Sequence, residues 1–177
     1  MGRKSDPEDI RRRVREALSQ RRYQHVENVV KYSKELSDRW GADREKAEIA
    51  ALLHDYAKNK RQENNDILHG GLAADAIRRE FGIEDEDILN AVRYHTTGRR
   101  GMSKLELVIF LADTLEPGRD YQGVERLREE VDRDLYRGAL IVLRELKGYL
   151  YKNNKNPVED TIEAIAWLEE MERKGEF

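Results

Sequence analysis

The sequence has no cysteine among its 177 residues. Disulfide bonds, cysteine-ligated zinc sites, iron–sulfur clusters and thiol nucleophiles are therefore excluded. It also lacks an excess of either charge, because 33 lysines and arginines nearly balance 36 acidic residues and leave a formal net charge of −3. No global field favours nucleic acid or an anionic membrane surface, so we expect neither as a partner.

Long apolar runs are missing as well. No stretch approaches the roughly 20 residues that a membrane-spanning helix needs, and the start has no apolar segment of the kind that secretory signals carry. We therefore expect a cytoplasmic protein. Although 39% of the residues are charged, apolar residues recur with clear periodicity, which is not typical of a disordered chain.

The apolar periodicity is that of helices, and no segment alternates convincingly with period two. It predicts helices over about 6–18, 22–40, 43–57, 69–81, 85–95, 103–113, one or two over 124–151, and one over 156–173. A polar loop is expected at 58–66. The connections are short and no linker is rich in proline, glycine or serine. The sequence therefore predicts one all-α domain, an orthogonal helical bundle.

Histidine is scarce, and its few positions form a pattern. Each of the four histidines lies on, or at the end of, a different predicted helix: His25, His54, His69 and His95. A single histidine on an apolar face is more often a hydrogen-bonded core residue than a metal ligand. The pattern gains weight only when the carboxylates near the same faces are considered with it.

Two carboxylates extend the histidine pattern. Asp55 directly follows His54 at the end of an apolar run, and Asp113 follows six apolar residues. Burying such charged groups costs several kcal/mol unless something compensates them. Separately, Asp55 could cap the following turn and Asp113 could lie near the surface, whereas a shared metal centre accounts for both and for the histidines.

We predict that six ligands hold two divalent ions, with Asp55 as the bridge. The first ion is assigned His25, His54, Asp55 and Asp113, and the second is assigned Asp55, His69 and His95. Two ions about 3.5–4 Å apart can clamp an in-line displacement and lower the pKa of water. Imidazole and carboxylate ligands suit iron, manganese, cobalt, nickel or zinc better than magnesium alone.

Several sequence blocks, in order, resemble one family: residues 52–58, 68–70, 95–98 with Met102, and 112–119. They are similar to the HD-domain metal-dependent phosphohydrolases, and within these to the YqeK-type symmetrical bis(5'-nucleosyl)-tetraphosphatases. The resemblance covers a metal-binding core at about 22–134, leaving C-terminal helices at about 135–174.

That resemblance implies an activity. A hydroxide activated at a dinuclear iron centre would cleave diadenosine tetraphosphate symmetrically into two ADP, with the same six ligands and Asp55 and Lys58 as catalytic residues. The expected partners are a dinucleoside polyphosphate substrate and the ADP product, and the resemblance makes a homodimer plausible.

Four residues are candidates for binding the substrate phosphates: Lys58, Thr97, Gly98 and Arg119. Lys58 lies three residues after Asp55, and Arg119 follows the break at Pro117 and Gly118. Alternatively, Lys58 is solvated at a helix end, the run 96–98 is a helix stop, and Arg119 forms a surface ion pair with Asp120 or Glu116.

Other basic and aromatic residues are assigned less specific roles. Arg21 and Arg22 look like a solvated helix face, and the run at 99–100 looks like a generic basic loop. Three tyrosines are candidates to stack on adenine, although such a residue is more often a core or rim aromatic: Tyr56, Tyr94 and Tyr121.

Two other functions are also compatible with the sequence. An HD-domain phosphohydrolase with the same metal site could act on a mononucleotide, a deoxynucleoside triphosphate or a guanosine polyphosphate alarmone. A non-catalytic nucleotide-sensing module could retain the helical bundle without turnover, but the intact set of predicted ligands argues against it.

Overall fold

The structure, a computed structural model, describes residues 6–58 and 68–177. The described residues form nine helices and no strand, which confirms the prediction of an all-α fold. None of these helices is both long and apolar enough to cross a bilayer. Their bounds are α1 Pro7–Ala17, α2 Gln20–Trp40, α3 Arg44–Leu53, α4 Leu68–Phe81, α5 Glu86–Arg93, α6 Lys104–Leu115, α7 Val124–Arg133, α8 Leu135–Lys152 and α9 Glu159–Arg173.

Local capping residues set several helix starts. Asp6 caps α1 by accepting a hydrogen bond from the amide of Glu8 at 3.1 Å. Ser103 and Glu106 form the predicted capping box at the start of α6, with each side chain bonded to the other residue's backbone amide. A capping box satisfies two of the amides that have no partner within the helix. The start of the central helix is therefore encoded within four residues.

Helix α6 is the centre of the bundle. Every residue from 105 to 112 is buried, and α2, α3, α5, α7 and α8 pack around the helix. A helix that is apolar on all sides is stable only when neighbours surround it. Asp113, the next residue along α6, is thereby placed where the surrounding helices converge.

The third helix is shorter than predicted, and the difference shapes the site. We expected it to reach residue 57, but α3 ends at Leu53 and residues 54–58 form turns. In this segment the amide of Lys58 donates to the carbonyl of Asp55 at 3.0 Å. Adjacent helical residues point about 100° apart, so leaving the helix here frees both His54 and Asp55 to face one centre.

Other helix boundaries also depart from expectation. The region 124–151 is two helices, which break at Asp134, an extended residue that caps α8 by accepting from the amide of Arg137 at 2.8 Å. The last helix begins at Glu159 rather than near residue 156. Apart from Lys58, the predicted polar loop lies outside the described residues.

Helices α7 and α8 meet closely at Gly138, so a larger side chain at this position should destabilise the fold. A Cβ atom on Gly138 would lie 2.6 Å from the Cα of Val131. We expect Gly138→Ala to lower the free energy of unfolding by about 1–3 kcal/mol, because the helix backbones must move apart. Urea unfolding followed by circular dichroism measures this change.

The matched control for this substitution lies on the same helix. Gly148 has nothing within 4 Å of its Cβ position, so Gly148→Ala should raise stability by up to about 1 kcal/mol. Equal stabilities of the Gly138→Ala variant and the wild type would contradict the tight contact.

Candidate metal centre

Three histidine rings from different parts of the fold lie side by side. His25 comes from α2, and His54 and His95 come from the turns that follow α3 and α5. The ring centroids of His25 and His54 are 5.4 Å apart, and those of His54 and His95 are 5.0 Å apart. The Nε2 atoms of His25 and His54 approach to 3.4 Å, so both nitrogens face the same small volume.

The opposite nitrogen of each ring has its own partner. The Nδ1 of His54 is 2.7 Å from the carbonyl oxygen of Ala51, and that of His95 is 2.6 Å from the carbonyl oxygen of Val92. A carbonyl oxygen only accepts hydrogen bonds, so each Nδ1 must carry the proton. When the ring is neutral, its Nε2 lone pair faces the centre, as a metal ligand requires.

Two carboxylates complete this cluster. The Oδ1 of Asp113 is 2.9 Å from the Nε2 of His25 and 3.6 Å from the Nε2 of His54. Asp55 faces two different histidines, because its Oδ2 lies 3.8 Å from the Nε2 of His54 and its Oδ1 lies 3.8 Å from the Nε2 of His95. Its two oxygens thus point toward different parts of the centre, as a bridging carboxylate requires.

The pKa shifts within the cluster indicate which sign of charge the centre favours. Burial lowers the pKa of His54, but the charge of Asp55 and the hydrogen bond to Asp113 outweigh it and raise this pKa to about 9. Burial raises the pKa of Asp113, but hydrogen bonds from His25 and His54 hold it well below its usual range. The field at the centre therefore favours positive charge.

A divalent cation fits these donors. Ligand atoms of His25, His54 and Asp55 all lie within 4.8 Å of one another, and imidazole and carboxylate are donors that first-row divalent metals accept. A metal that binds here displaces the proton that the same field would otherwise stabilise. The side chains present therefore suit a divalent metal, and their chemistry alone does not select one.

The remaining predicted ligand, His69, belongs to the first turn of α4, and its side chain lies outside the described residues. Its neighbour Gly70 is described, and a Cβ there would lie 2.4 Å from the carbonyl oxygen of Arg93. The start of α4 is therefore packed directly on the end of α5, two residues before His95. The assignment of His69 as a ligand stays a prediction.

Three cationic side chains surround the carboxylates. The Nζ of Lys58 is 3.6 Å from the Oδ1 of Asp55, and an Nη of Arg119 is 3.5 Å from the Oδ1 of Asp113. Arg22 also reaches the site, with an Nη 3.9 Å from the Oδ2 of Asp55. These side chains are 33%, 41% and 31% exposed, respectively, so each contacts both a carboxylate of the centre and solvent.

The prediction that Arg22 lies on a solvated helix face is wrong, because its guanidinium reaches Asp55. Arg22 precedes His25 by three residues on α2, and residues at this spacing share a helix face. The sequence signal was present but indistinct, because Arg21 beside it carries the same charge.

Thr97 and Gly98 have packing roles in the structure. The hydroxyl of Thr97 donates to the carbonyl of Gly98 at 2.9 Å, and the carbonyl of Thr97 accepts from Thr161 at 2.8 Å. Gly98 has φ +66°, and its Cβ position would be 3.2 Å from Met102 and 3.4 Å from Leu143. Both residues therefore fold the turn after His95 onto the bundle, and their predicted phosphate contact stays a prediction.

The three candidate tyrosines differ in their surroundings. Tyr56 is buried, packs edge-on against Phe81 and donates its hydroxyl to Glu80 at 2.8 Å. The guanidinium carbon of Arg99 lies over the ring of Tyr94, 5.3 Å from the ring centroid. Tyr121 is 41% exposed, and its hydroxyl donates to the carbonyl oxygen of Thr114 at 3.0 Å. This bond ties the ring to the end of α6, close behind Asp113.

The part of the chain that contains the cluster matches a known protein family. The family described as HD domain matches residues 22–118, a range that contains every predicted metal ligand. The chain belongs to the HD-domain family. Hydrolases of this family bind divalent metals, in agreement with the donors found here.

Similar proteins match most of the chain. A protein of Bacillus subtilis named symmetrical bis(5'-nucleosyl)-tetraphosphatase is 38% identical over 88% of this chain and 93% of its own length. A Staphylococcus aureus protein of the same name is 36% identical over 69% of this chain and 72% of its own.

A solved structure has the same fold. The crystal structure of a protein from Clostridium acetobutylicum, described as a predicted HD superfamily hydrolase involved in NAD metabolism, matches with a TM-score of 0.84 and 32% identity. The match covers 93% of this chain and 97% of that one. It confirms the predicted HD-domain bundle.

The geometry of Asp55 generates a prediction about metal binding. Replacement of a bridging carboxylate should affect both ions, so Asp55→Ala should reduce metal affinity by more than the roughly 10–100-fold that loss of an outer partner costs. Metal analysis by mass spectrometry measures the bound metal, and circular dichroism should show unchanged helix content, because Asp55 lies outside the helices.

Asp132→Ala is the control for this substitution. Asp132 is an aspartate that pairs with Arg39 on the surface and has 47% of its side chain exposed. The control variant should bind metal as the wild type does. Wild-type metal content in Asp55→Ala would contradict the ligand assignment.

Proposed function

We propose that this chain is a metal-dependent hydrolase that cleaves diadenosine tetraphosphate symmetrically into two ADP. The observation that carries the proposal is the position of Asp55, whose two oxygens face different histidines while partly exposed cations contact the carboxylates of the centre. Relatives that bear the name of this activity, at 36–38% identity, support the choice of substrate.

Six residues are proposed to hold two divalent ions. His25, His54, Asp55 and Asp113 would hold the first ion, and Asp55, His69 and His95 the second. When bound, such a pair supplies a nucleophile from water at neutral pH and polarises the phosphoryl oxygens. Iron is the metal we propose, on the family resemblance, and manganese, cobalt, nickel and zinc share the same donor preferences.

Three cations are proposed to bind the phosphate chain: Lys58, Arg119 and Arg22. Each lies within 3.5–3.9 Å of a carboxylate oxygen of the centre, so a phosphate at the centre would meet all three. Lys58 offers a compact charge, and the arginines offer planar donor pairs that match phosphate oxygens. They would offset the negative charge that develops on the phosphoryl oxygens during the reaction.

The bonds that form and break in the proposed reaction show which catalytic groups it needs. Water adds to one of the two central phosphorus atoms, the bond from that atom to the oxygen between them breaks, and this oxygen leaves with the second ADP. A terminal phosphate has a second pKa of about 6, so the departing ADP is stable as an anion. The reaction therefore needs no strong general acid, and every histidine can serve as a ligand.

Tyr121 is the tyrosine we propose for adenine stacking. Its ring is partly exposed, and its hydroxyl is fixed next to Asp113 at Thr114, whereas the side chains of Tyr56 and Tyr94 are engaged within the fold. The expected homodimer stays a prediction.

The test of the proposed function is a product assay with metal-loaded protein and diadenosine tetraphosphate. Two ADP as the sole products are expected, separated and quantified by anion-exchange chromatography. AMP together with ATP would contradict symmetrical cleavage. Preferred turnover of a mononucleotide or a guanosine polyphosphate would contradict the substrate assignment.

Lys58 should affect turnover without affecting metal. We expect Lys58→Ala to lower kcat by about 10²–10³, the cost typical of removing one donor to developing charge, while the bound metal stays constant. Lys46→Ala is the control, because the ion pair described for Lys46 is with Asp85, at 2.9 Å. A parallel fall in metal content would instead assign Lys58 a structural role.

A further inference from the structure

Glu116 is a buried carboxylate that the ligand assignment does not use. It is only 4% exposed and directly follows the end of α6, three residues after Asp113. Burying an ionised carboxylate is unfavourable unless hydrogen bonds or opposite charge compensate it. The partners of Glu116 therefore indicate what its charge is used for.

Those partners connect Glu116 to the metal centre. Its Oε1 is 3.1 Å from the Nδ1 of His25, on the side of the ring opposite the Nε2 that faces Asp113. The same oxygen lies 3.7 Å from the Nε of Arg119. One carboxylate thus contacts both a proposed metal ligand and a proposed phosphate-binding side chain.

The turn after α6 is folded around this carboxylate. The amide of Gly118 donates to the Oε2 of Glu116 at 2.5 Å. A Cβ on Gly118 would lie 2.9 Å from that oxygen and 2.8 Å from the Nδ2 of Asn28. An added methyl group would therefore press on the ends of these two side chains, while the hydrogen bond from the Gly118 amide holds the Glu116 carboxylate within the turn.

His25 differs in this respect from the other histidines of the cluster. His54 and His95 donate from Nδ1 to backbone carbonyls, whereas the described partner of the His25 Nδ1 is a carboxylate. A charged acceptor forms a stronger hydrogen bond than a neutral one. A carboxylate on the outer nitrogen also orients a ligating imidazole and raises its basicity.

We propose that Glu116 is a positioning residue, which holds the His25 ring with its Nε2 toward the metal centre and strengthens it as a ligand. The inference rests on the proposed function, since it takes His25 to be a ligand. Glu116 itself lies behind the ring, so it acts through His25 and, by the same oxygen, helps to orient Arg119.

Cobalt(II) titration of the metal-free protein tests the proposal without reference to activity, because bound cobalt absorbs visible light according to its ligands. Glu116→Ala removes the acceptor and should weaken cobalt binding by about 10–100-fold. Glu116→Gln keeps an oxygen acceptor without the charge, so it should restore part of that loss. The cobalt spectrum should change in both variants.

Glu106→Gln is the matched control. Glu106 is a buried carboxylate on the same helix, 2% exposed, which pairs with Arg99 and caps α6 without contacting a histidine. This variant should bind cobalt with wild-type affinity and spectrum, even if its melting temperature falls. Metal-free Glu116→Gln should melt close to the wild type.

The outcomes separate this inference from the proposed function. Wild-type affinity and spectrum in Glu116→Gln and Glu116→Ala would overturn the role of Glu116 while leaving the metal site intact. If Glu116→Ala does not fold, Glu116→Gln decides: weaker cobalt binding supports the proposal, and wild-type binding overturns it. Failure of the wild type to bind cobalt would overturn the metal site itself, and this inference with it.

Discussion

The structure depends on the compensation of two negative charges, one buried at Asp55 and one partly buried at Asp113. Asp55 and Asp113 lie among the Nε2 atoms of three histidines. In the absence of metal, His54 can supply opposing charge, because the charge of Asp55 and the hydrogen bond to Asp113 raise its pKa to about 9 against the effect of burial. The same field that holds a proton there suits a divalent cation, so the cost of burying the carboxylates is offset on metal binding.

Helix ends converge to create this centre. The bundle surrounds α6, and the polar side chains occur where the helices begin or end: His54 after α3, His95 after α5 and Asp113 in the last turn of α6. Helix termini have unpaired backbone carbonyls, and those of Ala51 and Val92 orient the two turn histidines. At the end of α6 the carboxylate of Glu116 serves His25 in the same way. The fold thus supplies both the proposed ligands and the groups that orient them.

The sequence predicted the helices well because their signals are local. Apolar periodicity and capping residues such as Asp6 and Ser103 act within a few positions. The clustering of His25, His54, Asp55, His95 and Asp113 was predictable because histidine is scarce and each candidate lies on an apolar helix face or at the end of an apolar run. The early end of α3, the inward position of Arg22 and the contact between Glu116 and His25 depend on packing between distant segments, which local patterns do not encode. The assignment of His69 as a metal ligand stays a prediction, and so does the division of the chain into a metal-binding core at about 22–134 and C-terminal helices at about 135–174.

The central claim is that Asp55 bridges two ions. The most direct test is a crystal structure of the metal-loaded protein with ADP, with anomalous diffraction data collected at the absorption edge of the bound metal. The account predicts two anomalous peaks about 3.5–4 Å apart, with one Asp55 oxygen on each. A single peak, or a pair of peaks that Asp55 contacts on one side only, would contradict it.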